Sequence, residues 1–520
     1  MKRVFIVAAA IAASALAADV VKVDSGSLEG TTNADKSVRI FKGVPFAAPP
    51  VGDLRWKAPQ PVTPWTGMRK ADEWGSPCVQ GKVFGDIVTR SKGMNEDCLT
   101  LTVWAPAKPA AKKLPVYVWF YGGGFAAGGG DEPRYDGESF AKQGIVVVNV
   151  NYRLGVFGFL ALPELTAESP HHASGNYGML DQVAGLQWVK RNIAAFGGDP
   201  NRVTIGGESA GSLSVSALMA SPLSRDLFQQ AIGESGAFFG QVGGRGSLFL
   251  TDAEKTGAAF EKTVGAASLA ELRTKSADDL LAAAMKTNGG FGFWPIVDGH
   301  FMPDEVQKIY GEGKQAQVPL LAGWNADEVR MMVMMQKDKP TAKSFEEQLR
   351  KQFKDRGDDA VKVYAASSDE EAVRAAGDLA SDNFIVFGTW KWLEMQTKTG
   401  KPVYRFEFDK AVPVPNAMKA MARGLKSFGS AHASELEYVF NTLASKPADW
   451  DADDQKVADT MEAYWANFIK TGSPDGKGLA PWPNYTKTHE VMHIDSVSKA
   501  SPEAHRNRYE FLDSAQASAK

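Results

Sequence analysis

The chain has 520 residues, of which 44% are hydrophobic and 23% are charged, a composition typical of a folded globular protein. This balance excludes a disordered, collagen-like or multiply membrane-spanning chain. The 58 basic and 61 acidic residues give a net charge of −3, which provides no basic surface for nucleic acid or an anionic membrane. Two cysteines are too few for a disulfide-rich scaffold or a cysteine-based zinc site.

The N-terminus has the features of a secretory signal peptide. Lys2 and Arg3 form a positive start, an apolar stretch follows, and Ala15-Leu16-Ala17 fits the small-x-small cleavage rule. We therefore expect residues 1–17 to be a cleaved signal peptide and the mature protein to be periplasmic or secreted. No later run reaches the roughly 18 apolar residues that span a bilayer, so no membrane span is expected.

Export bears on the two cysteines, Cys78 and Cys98. In an oxidising compartment two lone cysteines favour a disulfide bond over two buried free thiols. Closing a loop of this size constrains the unfolded chain by about 3 kcal/mol in the entropy model.

Strands and helices alternate along the chain. Strands are predicted from apolar, β-branched and aromatic runs at residues 20–30 (a hairpin), 101–104, 115–120, 144–150, 203–206, 318–322 and 402–408. Helical spacing is found at residues 179–196 and 213–220. This order predicts an α/β fold with a large, mostly parallel central sheet flanked by helices. Residues 18–515 are expected to form one domain with helical insertions, followed by a polar tail at residues 516–520.

A candidate nucleophile lies between a predicted strand and a predicted helix. Gly207-Glu208-Ser209-Ala210-Gly211 matches the G-x-S-x-G pattern, in which a sharp turn exposes the serine hydroxyl. Similar segments around Ser139 and Ser235 lack the final glycine. The strand–turn–helix context therefore selects Ser209.

A serine nucleophile needs a base, and the base needs a carboxylate to hold it. In hydrolases with this arrangement the chain order is serine, acid, histidine. His432 lies in the small-residue segment 429–435, where an exposed base is expected. The other six histidines lie before the acid, in polar sequence or in a predicted strand: His171, His172, His300, His489, His493 and His505. The neighbouring His171 and His172 cannot face one metal ion.

The acid is less well defined. Asp327 and Glu328 follow a predicted strand, and a carboxylate just past a strand's carboxyl end can point into a ligand-binding crevice. Asp298 satisfies the same condition. Spacing alone leaves all three open.

A glycine-rich loop, Tyr121-Gly122-Gly123-Gly124-Phe125, directly follows a predicted strand. Successive glycines let neighbouring N–H groups point at one developing oxyanion. A dinucleotide-binding loop is the alternative, but residues 126–133 cannot open the helix that this motif requires. The phosphate-binding G-x-x-x-x-G-K-[ST] motif is also absent from the sequence, so neither a cofactor nor a metal is expected.

Taken together, these motifs resemble the type-B carboxylesterases, the α/β-hydrolase family that includes bacterial para-nitrobenzyl-type esterases and the cholinesterases. The resemblance covers most of the chain, through FKGVPF (41–46), NEDCLTL (95–101), YGGGF (121–125), NYRLGVFG (151–158), GNYGMLDQ (175–182), FGGDP (196–200) and GESAG (207–211).

The resemblance implies Ser209 as nucleophile, Glu328 as acid and His432 as base. It also implies an oxyanion hole formed by the N–H groups of Gly123, Gly124 and Ala210, and a Cys78–Cys98 disulfide. By similarity, Glu208 and Phe291 line the substrate pocket.

One departure from the family concerns the segment between the cysteines. Residues 79–97 contain no Trp and only Phe84 as an aromatic residue, which argues against a cation–π choline site. The sequence therefore predicts an exported serine esterase acting on small-molecule carboxylic esters. The alternatives are an amidase with the same machinery and a catalytically inactive adhesion or ligand-binding homologue.

Overall fold

A computed structural model gives the fold of residues 19–241, 245–246 and 248–517. The predicted signal peptide, residues 1–17, and the last three residues lie outside this described part. Within it, the strands are β1 Val20–Val23, β2 Gly26–Glu29, β3 Thr31–Thr32, β4 Val38–Pro45, β5 Met68–Lys70, β6 Thr100–Pro106, β7 Leu114–Phe120, β8 Val146–Val150, β9 Gly198–Glu208, β10 Gln230–Glu234, β11 Leu320–Asn325, β12 Val403–Phe408, β13 Glu490–Ile494 and β14 Lys499–Pro502.

Eleven of these strands form one large sheet in the order β14-β13-β12-β11-β10-β9-β7-β8-β6-β4-β3. The six central pairings from β13 to β8 are parallel. The edges are antiparallel, through β13–β14 on one side and β8–β6–β4–β3 on the other. The predicted mostly parallel sheet is thus confirmed at its centre. Strands β1, β2 and β5 form a separate small sheet that includes the predicted N-terminal hairpin.

The helices of the described part are α1 Glu138–Lys142, α2 Gly155–Phe159, α3 Pro163–Glu168, α4 Tyr177–Asn192, α5 Ala210–Ala220, α6 Leu250–Val264, α7 Leu269–Thr274, α8 Ala277–Lys286, α9 Val306–Gly311, α10 Arg330–Met334, α11 Ala342–Phe353, α12 Gly357–Val363, α13 Asp369–Ser381, α14 Phe387–Thr397, α15 Lys419–Ala422, α16 Leu436–Val439, α17 Ala452–Thr471, α18 Tyr485–Thr488 and α19 Arg506–Ala517. A short π-helix, Asp382–Val386, joins α13 to α14. The helices predicted at residues 179–196 and 213–220 correspond to α4 and α5.

Burial explains why these segments form these elements. Every residue of β8 is buried, as expected of a continuous apolar strand covered on both faces of a parallel sheet. Helix α5 is also buried along its whole length, because it packs on the sheet directly behind the turn that carries Ser209. No helix in the described ranges combines the length and the apolar character that a bilayer crossing requires.

The last helix of the described part, α19, extends past residue 515, the predicted end of the domain. Helix α19 continues to Ala517, and Arg356 donates to Ser514 Oγ at 3.3 Å. Part of the segment predicted as a polar tail is therefore helical. The division of the whole chain into signal peptide, domain and tail stays a prediction.

Cys78 and Cys98 form a disulfide bond with their Cα atoms 5.0 Å apart, and both residues are buried. The bond closes residues 79–97 into a loop, which we call the disulfide loop. Ile87 of this loop lies beside Gly123, since a Cβ built on that glycine would be 3.5 Å from Ile87 Cδ1. The bond thus fastens a surface segment against the glycine-rich loop.

Candidate active site

Ser209 occupies a sharp turn between the last residue of β9 and the first residue of α5. Its φ angle is +53°, a left-handed conformation that a non-glycine residue adopts only when the surrounding structure enforces it. The flanking glycines allow the close packing that enforces it. A Cβ on Gly211 would lie 1.9 Å from the carbonyl oxygen of Phe120, and one on Gly207 would lie 2.5 Å from the Gly211 carbonyl carbon.

The structure brings His432 to both Ser209 and Glu328. The imidazole Nε2 lies 2.9 Å from Ser209 Oγ, and Nδ1 lies 2.6 Å from Glu328 Oε2. The backbone N–H of His432 also donates to the Glu328 carbonyl at 2.9 Å. Three side chains far apart in sequence therefore form one hydrogen-bonded chain at the carboxyl ends of β9 and β11.

The structure distinguishes the three carboxylates that sequence spacing left open as candidates for the acid. Asp298 accepts the backbone N–H groups of His300 and Met302 at 3.0 and 2.9 Å. Asp327 accepts the Ser430 N–H at 3.0 Å. Asp298 and Asp327 thus hold loop backbone in place. Of the three candidates, Glu328 is the one at hydrogen-bond distance from the His432 ring.

Ser235 is a member of the site that sequence analysis missed. Its hydroxyl donates to Glu328 Oε1 at 2.6 Å, and the Asn325 N–H donates to the same oxygen at 2.9 Å. Strands β9 and β10 run in parallel register, with Gly207 opposite Gly233 and Glu208 opposite Glu234, so the Gly-Glu-Ser triplet of Ser209 recurs on the neighbouring strand. Like Ser209, Ser235 has a φ angle of +53°. The repeated triplet was visible in the sequence and could have identified it.

The glycine-rich loop lies beside the serine turn. A Cβ on Gly122 would come within 3.1 Å of Ser209 Cβ, and Gly123 and Gly124 have φ angles of +107° and +63°. Among the hydrogen bonds of the described residues, the N–H groups of Gly123 and Gly124 have no protein acceptor. These donors, with the N–H of Ala210 at the start of α5, remain available for a substrate oxygen.

Glu208 adds a second carboxylate beside His432. Its Oε1 lies 3.3 Å from His432 Nε2. Burial raises the pKa of Glu208 to about 8, although the nearby imidazole opposes the shift. Burial alone would lower the pKa of His432, but the carboxylates of Glu208 and Glu328 raise it to about 10. Carboxylates around the ring therefore favour the imidazolium form.

Two further buried glutamates lie behind the site, and both were missed from the sequence. Burial raises the pKa of Glu435 to about 7, with the neighbouring Glu328 adding to the shift, and the Asn325 side chain donates to it at 2.5 Å. Burial also raises the pKa of Glu234, which accepts a hydrogen bond from Trp465 Nε1 at 2.8 Å.

Aromatic side chains lie beside the glycine-rich loop and beside His432. The Phe291 ring lies against the glycine-rich loop, since a Cβ on Gly124 would be 2.7 Å from its Cε1. Phe84 of the disulfide loop packs edge-on to Phe291, with ring centroids 5.7 Å apart. Phe384, which sequence analysis missed, meets the His432 ring edge-on at 5.0 Å.

One group outside the site has side chains that metals prefer. Among the described residues, Glu407, Asp409 and His493 each place a ligand atom within 4.8 Å of the others. Asp409 is hydrogen-bonded to His493 Nδ1 at 2.7 Å, and Glu407 lies 3.4 Å from Arg405. Each of the two carboxylates therefore already has a partner within the protein.

Known proteins resemble this chain along most of its length. Residues 17–512 match the model of the carboxylesterase family. The chain belongs to the carboxylesterase family. It is 35% identical to a fumonisin B1 esterase of Sphingopyxis macrogoltabida over 483 residues, covering 91% of this chain and 85% of that protein. It is also 35% identical to the para-nitrobenzyl esterase of Bacillus subtilis strain 168 over 494 residues, covering 92% and 95%.

Solved structures of carboxylesterases share the fold. A PNB esterase structure superposes with a TM-score of 0.81 at 32% identity, covering 95% of this chain and 99% of that chain. A carboxylesterase from Geobacillus stearothermophilus superposes with a TM-score of 0.80 at 30% identity, covering 95% and 100%. The predicted α/β-hydrolase fold is confirmed, and this carboxylesterase is a carboxylic ester hydrolase.

Proposed function

We propose that this carboxylesterase hydrolyses small carboxylic esters through a covalent acyl-enzyme on Ser209, with His432 as general base and acid and Glu328 as the carboxylate that orients it. The observation that carries the proposal is the continuous chain from Ser209 Oγ to His432 at 2.9 Å and from His432 to Glu328 at 2.6 Å. This is the geometry that nucleophilic catalysis by serine requires.

In the first half of the reaction, Ser209 Oγ attacks the ester carbonyl carbon and its proton passes to His432 Nε2. Glu328 stabilises the imidazolium through its hydrogen bond to Nδ1. The carbonyl oxygen becomes an oxyanion, which accepts hydrogen bonds from the N–H groups of Gly123, Gly124 and Ala210. When the tetrahedral intermediate collapses, the C–O bond to the alcohol breaks and the alcohol leaves with the proton from His432.

The second half regenerates the enzyme. A water molecule gives one proton to His432 Nε2 while its oxygen attacks the acyl carbon. The second tetrahedral intermediate then expels Ser209, which recovers its proton from His432, and the carboxylic acid is released. Water and ester are thus converted to acid and alcohol with the protein unchanged.

The direct test replaces the nucleophile. We expect Ser209→Ala to lower kcat on a para-nitrophenyl ester by at least about 10³-fold, because the remaining groups only stabilise the transition state. An organophosphonate probe should label the wild type at Ser209. Ser139→Ala, which changes the serine of another Gly-Glu-Ser triplet, in helix α1, is the matched control and should keep wild-type activity.

Substantial turnover by Ser209→Ala would contradict the acyl-enzyme mechanism. A wild type that neither hydrolyses esters nor reacts with the probe would support the inactive adhesion or ligand-binding alternative. Faster hydrolysis of an anilide than of the matching ester would support the amidase alternative.

The substrate class can be narrowed with a panel of esters. The relatives named above are esterases of para-nitrobenzyl esters and of fumonisin B1, so both compounds belong in the panel. Esters varied separately in the acyl and the alcohol part would show which side of the substrate the aromatic wall of Phe291 and Phe84 restricts. We propose that this wall receives the acyl group, so lengthening the acyl part should lower kcat/KM more than lengthening the alcohol part.

We also propose that the enzyme is exported. The signal-peptide pattern of residues 1–17 supports this, and the Cys78–Cys98 disulfide suits an oxidising compartment. Mass spectrometry of the mature protein should find an N-terminus after Ala17, and cell fractionation should find the activity outside the cytoplasm. An intact Met1 on active enzyme would contradict the proposal.

A further inference from the structure

Charged side chains of alternating sign connect the C-terminal helix α19 with the turn that carries Glu328. Arg508 Nη1 donates to Asp378 Oδ2 at 3.0 Å, and Arg330 Nη2 donates to Asp378 Oδ1 at 2.7 Å. Arg330 also pairs with Asp327 through its other terminal nitrogen. We call Asp327, Arg330, Asp378, Arg508 and Asp382, which pairs with Arg508, the Arg508 network.

One end of the network joins the segments that carry the acid and the base. Asp327 immediately precedes Glu328, and Ser430 lies two residues before His432. The Asp327 N–H donates to the Ser430 carbonyl at 3.1 Å, and the Ser430 N–H donates to Asp327 Oδ2 at 3.0 Å. The adjacent Gly429 has a φ angle of +84°, and a Cβ there would lie 2.0 Å from Asp327 Oδ2. Asp327 therefore fixes the separation of Glu328 and His432.

The other end of the network reaches the π-helix whose Phe384 packs against His432. Arg508 Nη2 donates to Asp382 Oδ1 at 3.0 Å, Arg508 Nε lies 2.9 Å from Asp382 Oδ2, and Tyr364 Oη donates to that oxygen at 2.8 Å. The Asp382 side chain is completely buried. Asp382 is the first residue of the π-helix, whose Phe384 packs edge-on against His432.

We propose that Arg508 is a positioning residue of the active site. It holds the turn of Asp327 and Glu328 and the π-helix of Phe384 in one fixed arrangement around His432. A guanidinium can do this because its planar set of donors reaches two carboxylates at once, which a lysine ammonium matches poorly. Small displacements of catalytic groups lower the rate strongly, so the effect should be found in kcat. The inference rests on the proposed function, since it needs Glu328 and His432 in their catalytic roles.

The experiment compares two arginines of the same helix. Arg506 makes ion pairs with Glu394, Glu503 and Glu510, each at 2.9 Å. Within the described part of the chain, none of its hydrogen bonds or ion pairs involves the Arg508 network. Arg506→Gln therefore loses similar ion pairs from α19 without touching the network. It is the matched control for Arg508→Gln.

Both variants are assayed with a para-nitrophenyl ester, well below their unfolding temperatures. The rates are divided by the concentration of active sites, which is titrated with an organophosphonate. We expect Arg508→Gln to lower kcat by about tenfold with KM unchanged, and Arg506→Gln to keep kcat within about twofold. Arg508→Lys, which keeps the charge but not the planar donor set, should also show a lowered kcat. Equal kcat values for the two Gln variants would overturn the proposal.

Two further variants keep the test decisive if Arg508→Gln does not fold. Arg330, whose side chain is 28% exposed, can be changed to Gln at lower cost to folding, and it should show the same loss of kcat. The double variant Arg508→Gln with Asp327→Asn should lose less kcat than the product of the two single losses, because both substitutions interrupt the same chain of contacts. Multiplicative losses would overturn the proposal.

The outcome is separable from that of the proposed function. If Ser209→Ala is inactive and Arg508→Gln matches Arg506→Gln, only the positioning role fails. If Ser209→Ala stays active, the proposed function itself fails.

Discussion

At the scale of single residues, the charges around His432 determine how the site responds to pH. The ordinary pKa of histidine suggests that activity falls below about pH 6. Although burial opposes it, Glu208 and Glu328 raise the pKa of His432, so the imidazolium persists to higher pH. The neutral imidazole that the proposed mechanism needs is therefore lost sooner on acidification. The acid limb of the kcat/KM profile should therefore lie above pH 6.5.

We expect Glu208→Gln to move this acid limb to lower pH by about one unit. The substitution removes a carboxylate 3.3 Å from His432 Nε2, which destabilises the charged imidazolium and so lowers its pKa. The measurement is kcat/KM against pH with an ester that does not itself ionise. A limb at the wild-type position would show that Glu208 is already uncharged in the pH range where His432 titrates.

At the scale of elements, the glycine-rich loop after β7 depends on backbone conformation and on packing at once. Gly124 has a φ angle of +63°, and a Cβ would lie 2.7 Å from Phe291. We expect Gly124→Ala to turn the loop N–H groups away from the proposed oxyanion site. The loss in kcat should be about 10²-fold, as for removal of one oxyanion donor.

The control for this change is Gly85→Ala in the disulfide loop, where a new Cβ meets no atom within 4 Å. It should leave kcat unchanged. Comparable kcat for wild type and Gly124→Ala would exclude this loop as the oxyanion site.

Sequence patterns predicted many of the strands and the candidate nucleophile because those features are local. The apolar run of β8 and the turn at Ser209 are each encoded in about ten consecutive residues. Ser235, Glu435 and Phe384 were missed because their contacts with Glu328, Asn325 and His432 arise only when separate segments assemble. The repeated Gly-Glu-Ser triplet carried a signal for Ser235, whereas the choice among Asp298, Asp327 and Glu328 needed three-dimensional distances or the family resemblance.

At the scale of the whole molecule, the parallel centre of the sheet gathers carboxylates into one buried region. Glu208, Glu234, Glu328 and Glu435 all lie at or just beyond the carboxyl ends of strands or in the loop facing them, and all are buried. Burial raises the pKa of Glu208 and of Glu435 above the usual glutamate value. Such groups bind protons more tightly in the folded than in the unfolded protein.

The free energy of unfolding should therefore fall as pH rises. A carboxyl whose folded pKa is raised contributes stability that is complete below its unfolded pKa of about 4.5 and is lost as pH passes through the folded pKa. For Glu435 and Glu208 this window extends from about pH 4.5 to about pH 8. Surface aspartates with lowered pKa values, such as Asp24, are ionised in both states throughout this window and add no slope there.

Glu435→Gln tests this origin of the pH dependence. The glutamine oxygen can still accept the hydrogen bond from Asn325, and the neutral amide cannot ionise. We expect the variant to lose less stability than the wild type between pH 5 and pH 8, so the two curves of unfolding free energy against pH should converge or cross toward high pH. Urea unfolding at each pH gives the measurement, and parallel curves would show that Glu435 takes up no additional proton in the folded state.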